Sequence, residues 1–287
     1  MALEFKRGIS SSTANAKRKV LLYAKSGEGK TWMAATCGVN TVVLLTEKNG
    51  EQAVRCANPH ARYAVVTNAA DLREFCAGLI SGSLSTDDDP IDSVVFDGLT
   101  EIQQLFKDEL LGKLRKEMLT KVQTGAKLDD DDVFMTLEMW GLLSTKMRLF
   151  LRMVRNLDYN VVCTALAEDE LIGDKQYLFP SFQGKKLYGE VMQYFDAVAW
   201  VQRDGKDEDA KHWAWFDPPN NRISGKPQHP IRGRREGPMS AWFTEWAEAA
   251  DSSALLAKVA DAVVVPTEDV PAEVAQDAPL LRRRRSG

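Results

Sequence analysis

The sequence predicts an α/β fold in which a mostly parallel central sheet is flanked by helices. Three observations predict it. Short, continuously apolar runs rich in β-branched residues, such as Thr41-Val42-Val43-Leu44-Leu45-Thr46, read as strands buried on both faces. Segments with apolar residues at helical spacing alternate with these runs. Several strands end in polar residues, and the carboxyl edge of an open α/β sheet is where ligands bind.

The 287 residues divide by pattern into three parts. Residues 1–17 are a polar, flexible lead-in, and 18–250 are one α/β domain. Residues 251–287 begin as a helical extension, continue as an acidic, proline-punctuated disordered tail and end in the run Arg282 to Arg285. A hydrophobic content of 44% supports a packed core. The formal charge of −4 excludes a globally basic nucleic-acid binder while leaving room for a local basic groove. No apolar run approaches the ~20 residues needed to span a bilayer. The first residues lack the apolar core of a signal peptide, so the expected location is the cytoplasm, with no membrane partner.

In chain order, residues 20–23 form an apolar first strand. The loop Ala24-Lys25-Ser26-Gly27-Glu28-Gly29 follows, then Lys30-Thr31-Trp32 at the start of a short helix that ends near Gly38. The strand 41–46 closes on Glu47-Lys48-Asn49-Gly50. Residues 61–67 read as a strand, and Asp71 is expected to cap a helix over 72–80. After a Gly/Ser/Asp-rich loop at 81–90, Asp92-Ser-Val-Val-Phe-Asp97 reads as a strand ending in an acid. Helical stripes cover 99–118 and 133–157, the second with Leu137, Trp140, Leu143, Met147, Phe150, Leu151 and Val154 on its buried side. Asp129 to Asp132, between them, read as a solvated loop before a helix N-terminus. A buried strand at 160–165 carries Thr164. Residues 180–189 read as a loop and 190–194 as a helical turn. Strands 196–201 and 211–216 form an edge hairpin around the charged turn 203–209. Residues 222–238 are basic and broken by glycine and proline, and a last helix spans 240–250.

The four cysteines are scattered without zinc spacing, which favours free thiols. His60, His212 and His229 read as turn or surface residues.

The order strand, glycine loop, Lys-Thr, helix is that of a phosphate-binding P-loop. Glycines let main-chain N–H groups turn inward around phosphate oxygens, and the helix N-terminus adds partial positive charge. Lys30 reaches the β- and γ-phosphates, and Thr31 ligates Mg²⁺. Against the pattern G-x-x-x-x-G-K-[ST], Ala24 stands where the first glycine is usual. A methyl there is tolerated if the backbone keeps a negative φ, as at the end of a strand. Asp97 matches the acid that closes a Walker B strand and holds Mg²⁺ through water or Thr31.

Taken together, these pieces resemble a RecA-like P-loop NTPase core with a C-terminal edge hairpin and a disordered tail. The order of 20–31, 42–47, 94–101, 161–168, 179–189, Phe195-Asp196 and the basic Arg232-Gly-Arg-Arg-Glu-Gly-Pro238 is similar to that in phage RecA-like ATPases of the AAA nucleotide-binding type. Single-strand annealing recombinases of the Sak-four type are among them. The resemblance implies an ATP- and Mg²⁺-dependent hydrolase that acts on single-stranded DNA as a ring or filament, phage-encoded and working in the host cytoplasm. It implies that Glu47 polarises the attacking water, the alternative being a surface acid at a strand end. It gives Thr164 a γ-phosphate sensor role, and makes Arg232, Arg234 and Arg235 candidates to reach a neighbouring subunit's ATP, the alternatives being a solvated basic loop or DNA-backbone contacts. DNA contacts would come from basic loops, with the stretches 113–127 and 184–186 as candidates, and the acidic tail would engage a partner such as a single-strand-binding protein. The other reading of the same site is a P-loop ATPase that acts on protein partners, as an assembly or packaging factor without direct DNA binding.

Overall fold

The computed structural model describes residues 17–121, 134–172, 174–184, 187–205, 210–218 and 231–250. Residues 1–16 of the lead-in, 122–127 of the 113–127 stretch, the Asp129 to Asp132 run, Lys185 and Lys186, Arg222, and the tail with its arginines lie outside them.

Among the described residues, a nine-stranded sheet organises the fold. Its first five strands in the order of the sequence are β1 (Lys19–Ala24), β2 (Thr41–Leu45), β3 (Arg62–Val65), β4 (Ser93–Asp97) and β5 (Asn160–Ile172). They are followed by β6 (Lys175–Pro180), β7 (Ala197–Asp204), β8 (Lys211–Trp215) and β9 (Arg234–Glu236). In space the order is β3-β2-β4-β5-β1-β7-β8-β9, with β6 on the extension of β5. Every pairing from β3 through β7 is parallel, and β8 and β9 add antiparallel edges. β1, β2 and β4 are apolar and buried nearly throughout, as parallel strands covered on both faces must be.

The helices are α1 (Lys30–Ala35), α2 (Gly50–Ala57), α3 (Ala69–Ser81), α4 (Leu99–Lys121), α5 (Leu137–Asn156), α6 (Leu187–Val191) and α7 (Met239–Ala250). A 3₁₀ turn at Met192–Tyr194 continues α6. Phe96 of β4 joins the layers, meeting Phe75 of α3 and Phe150 of α5 edge-on at 6.0 and 5.4 Å. All four cysteines are free, and Cys37, Cys76 and Cys163 are buried. Burial pushes the thiols of Cys37 and Cys76 up to about 12, which leaves them unreactive at neutral pH.

The structure corrects several sequence expectations. The cap of α3 is Asn68, whose side chain accepts from the amides of Ala70 and Asp71, so Asp71 sits inside the first turn. α5 begins at Leu137, after the cap Thr136, and Leu137 is 92% exposed while Met139 takes the buried position. Leu137, the first residue of the helix, thus stays in water although it is in phase with the stripe. α2 follows β2 where only a polar turn was expected. β5 does not stop at 165: it runs on to Ile172 and turns back as β6, pairing Ala167 with Pro180 and Glu168 with Phe179. Arg234 to Glu236, read as broken loop, forms β9 and pairs with β8.

Candidate active site

The strand order decides what can meet at the carboxyl edge. β5 lies between β1 and β4, which end at Ala24 and Asp97; on β5, Leu166 is level with Ala24 and Thr164 with Leu22. β2 lies beyond β4, and its Leu45 is level with Asp97. These four strands and the start of α1 enclose a cleft of about 410 Å³. Its lining includes Ser26, Gly27, Lys30, Glu47, Asp97 and Glu101.

The loop 25–29 leaves β1 and enters α1 through two left-handed glycines, Gly27 at φ 83° and Gly29 at φ 86°. A side chain at either position would be strained. Ala24 lies within β1, fully buried and paired with Leu166, in the extended conformation a non-glycine residue accepts. Lys25, one of the loop's predicted phosphate contacts, is an exposed partner of Asp169 at 2.8 Å.

Lys30 folds back over the loop and donates to the main-chain carbonyls of Ala24 at 3.0 Å and Lys25 at 2.9 Å. Burial lowers its pKa, and the carboxylates of Asp97, Glu28 and Glu47 act in the opposite sense. Thr31 donates to Asp97 Oδ2 at 2.8 Å, and Thr164 donates to Asp97 Oδ1. Burial raises the pKa of Asp97, opposed by these two hydroxyls and by Lys30. Thr46 completes the cage, its amide at 2.9 Å and its hydroxyl at 3.0 Å donating to the Asp97 carbonyl.

The residues fit a nucleotide and a hard cation. The glycine turn holds amides and a lysine for phosphate, and the neighbouring donors are all oxygen, from a hydroxyl and a carboxylate, as Mg²⁺ prefers. Among the described residues no group of three or more His, Cys, Asp or Glu side chains could hold a metal alone. Mg²⁺ takes one or two protein oxygens and fills its shell with phosphate and water.

Besides Asp97, the carboxylates of Glu47 and Glu101 line the cleft. Glu47 is exposed, two residues past the end of β2. Glu101 sits in the first turn of α4, part-buried, and burial followed by the charge of Glu47 raises its pKa. Glu101 was not among the predicted site residues; its signal was the Asp-Gly-Leu-Thr-Glu spacing, which puts it one turn beyond Asp97. His212 was missed with no local signal to find it. It reaches the loop from β8, and its ring meets that of Trp32 at 4.9 Å.

Arg234 and Arg235 do not line the cleft. Arg234 is paired with Asp204 at 2.7 Å and lies over the Trp213 ring at 3.8 Å. Arg235 forks onto both carboxylate oxygens of Glu245 at 2.9 and 3.1 Å. Arg232 is exposed.

A parallel sheet with a glycine loop after its first strand, an acid closing a strand two places away and a threonine on the strand between them defines a P-loop ATPase. Residues 16–227 match the model of the AAA domain, and the chain belongs to that family. Membership implies nucleotide binding, usually with Mg²⁺, and hydrolysis in general. No curated protein matches the chain. Among the described residues, no helix is long and apolar enough to cross a membrane.

Proposed function

We propose that the protein hydrolyses ATP to drive the handling or annealing of single-stranded DNA in recombination, working as a ring or filament. The observation that carries the hydrolytic part is the cluster of Lys30, Thr31, Asp97 and Glu47 around one cleft at the sheet's carboxyl edge. Glu47 or Glu101 accepts a proton from water as its oxygen attacks the γ-phosphorus, and the bond to the ADP oxygen breaks. Lys30 and the loop amides hold the phosphates and offset the charge that spreads over their oxygens. Thr31 and Asp97 would hold Mg²⁺, which would offset part of the negative charge on the phosphates.

The DNA part of the proposal rests on the order of segments shared with RecA-like recombinases. In the same reading the basic residues Arg232, Arg234 and Arg235 face a neighbouring subunit, and release of Arg234 from Asp204 would free it to act in trans. The acidic balance of −4 favours the second reading, an ATPase that acts on protein partners.

One experiment separates them: ATP turnover with and without single-stranded DNA, alongside binding of labelled single strands across a salt series. The first reading expects stimulation by DNA and salt-sensitive binding. Turnover indifferent to DNA, with no salt-sensitive binding, would leave the second.

A further inference from the structure

We infer that His212 is a positioning residue for the phosphate cradle, holding one peptide of the loop in its anion-binding orientation from a strand about 180 residues downstream. The inference rests on the nucleotide reading of the cleft and adds a residue to it.

The Nδ1 of His212 lies 3.3 Å from the carbonyl oxygen of Glu28. A carbonyl only accepts, so the ring carries its proton on Nδ1 and donates it. The Glu28–Gly29 peptide is planar and trans, so its C=O and N–H point in opposite directions. A carbonyl held outward by the imidazole therefore turns the Gly29 N–H to the other side, toward the cleft that Gly29 lines. An N–H facing that way, in a left-handed glycine turn, is what binds a phosphate oxygen.

The surrounding contacts fix the imidazole closely. A Cβ placed on Gly29 would lie 2.1 Å from His212 Nδ1, so the ring occupies the space a side chain would need. The ring also meets Trp32 of α1 at 4.9 Å. Arg203, level with His212 across the β7–β8 pair, donates its amide to Glu28 Oε2 at 2.8 Å. Glu28 is thus held twice by one hairpin, through its carbonyl and through its carboxylate. On the next residue of β8, Trp213 is covered by Arg234, itself paired with Asp204 of β7. The edge that carries His212 is braced from a second strand.

The test is calorimetric binding of ATP and of inorganic tripolyphosphate to the full chain, as wild type, His212→Phe and His212→Asn. Phe keeps a ring and loses the donor; Asn places its amide nitrogen where Nδ1 stands. His212→Phe is expected to weaken both ligands by roughly 3- to 10-fold, the worth of one hydrogen bond. His212→Asn is expected to recover most of that loss. Equal weakening of the two ligands marks a phosphate effect, because tripolyphosphate has no base. Wild-type affinity for tripolyphosphate in His212→Phe would overturn the inference, as would an Asn variant no better than Phe. If His212→Phe does not fold, His212→Asn still decides: binding within about threefold of wild type supports the donor role, and a larger loss overturns it. Wild-type protein that binds neither ligand would overturn the nucleotide reading itself, a different result from binding that ignores His212.

Discussion

Two lysines stand at the two ends of β1, Lys19 buried in the strand and Lys30 half-buried at the start of α1, and they are used in opposite ways. At the amino end, Lys19 Nζ donates to the carbonyls of Leu157 at 2.9 Å and Tyr159 at 2.7 Å, closing the connection from α5 into β5. Its neighbours are equally engaged: the Lys19 amide donates to Asp196, the Arg18 amide to Asn160, and the Asn40 amide to Asp92. At the carboxyl end, Lys30 also donates to two carbonyls, but those belong to the loop that surrounds a ligand space, and Lys30 lines that space. Burial lowers the pKa of both. The difference teaches that a buried, perturbed lysine marks a functional site only where its surroundings leave room for something else to bind. One end of the sheet is a finished structural joint, and the other opens onto the candidate site.

Substitutions at the two ends should therefore fail differently. The largest effect is expected from Asp97→Asn, which removes the carboxylate that takes both threonine hydroxyls: turnover should fall by about 100-fold or more. The same variant should melt higher than wild type at neutral pH without nucleotide. The folded pKa of Asp97 is raised, so ionising it costs stability that is present at low pH and lost as pH rises through the folded value. A lower melting temperature at neutral pH would break the contrast, because the site would then be as structural as the joint.

Next come the two carboxylates. Glu47→Gln should cut turnover by about 100-fold while ATP binding is kept, and Glu101→Gln should cut it by less. A larger effect from Glu101→Gln would move the water-activating role from the end of β2 to the start of α4.

Lys19→Met should leave turnover per folded molecule unchanged and cost about 1–3 kcal/mol in urea unfolding, because two buried carbonyls lose their donor. Its pH dependence sharpens the point. The folded value of Lys19 is about 8, against an ordinary value near 10.5. Between those values the unfolded chain holds a proton that the folded one has released, so wild-type stability should rise with pH relative to Lys19→Met. The slope is at most about 1.4 kcal/mol per pH unit. Denaturant titrations at pH 7 and pH 10 measure it, and a gap that shrinks at pH 10 would refute the assignment.

The smallest effect separates the first turn of α5 from its packed interior. Leu137→Ala, on an exposed first turn, should change stability by less than about 0.5 kcal/mol. Leu143→Ala, fully packed, should cost about 2–5 kcal/mol.

What could be read from the sequence was what a short window encodes. The glycines that need positive φ, the lysine and threonine after them, and Asp97 at the end of an apolar run all declare themselves within a few residues. So does the alternation of strands and helices that yields the parallel sheet. Other features depend on contacts distant in sequence. His212 looked like a surface residue because its partner Glu28 is 184 residues away. β9 is three residues long and exists only because β8 offers it an edge. The extension of β5 past Ala165 carries the acids Glu168 to Glu170, which hide a strand that is paired with β6 on one side and exposed on the other. Arg234 and Arg235 stood out by charge, and only the fold shows that Asp204 and Glu245 already hold them.

The central claim, that the cleft at the carboxyl edge of β1 hydrolyses ATP, is tested most directly by phosphate release from purified wild-type and Lys30→Ala protein with Mg²⁺. Turnover by the wild type that falls about 100-fold or more in Lys30→Ala, with an unchanged melting temperature, is the expected result. Equal rates in the two proteins would contradict it.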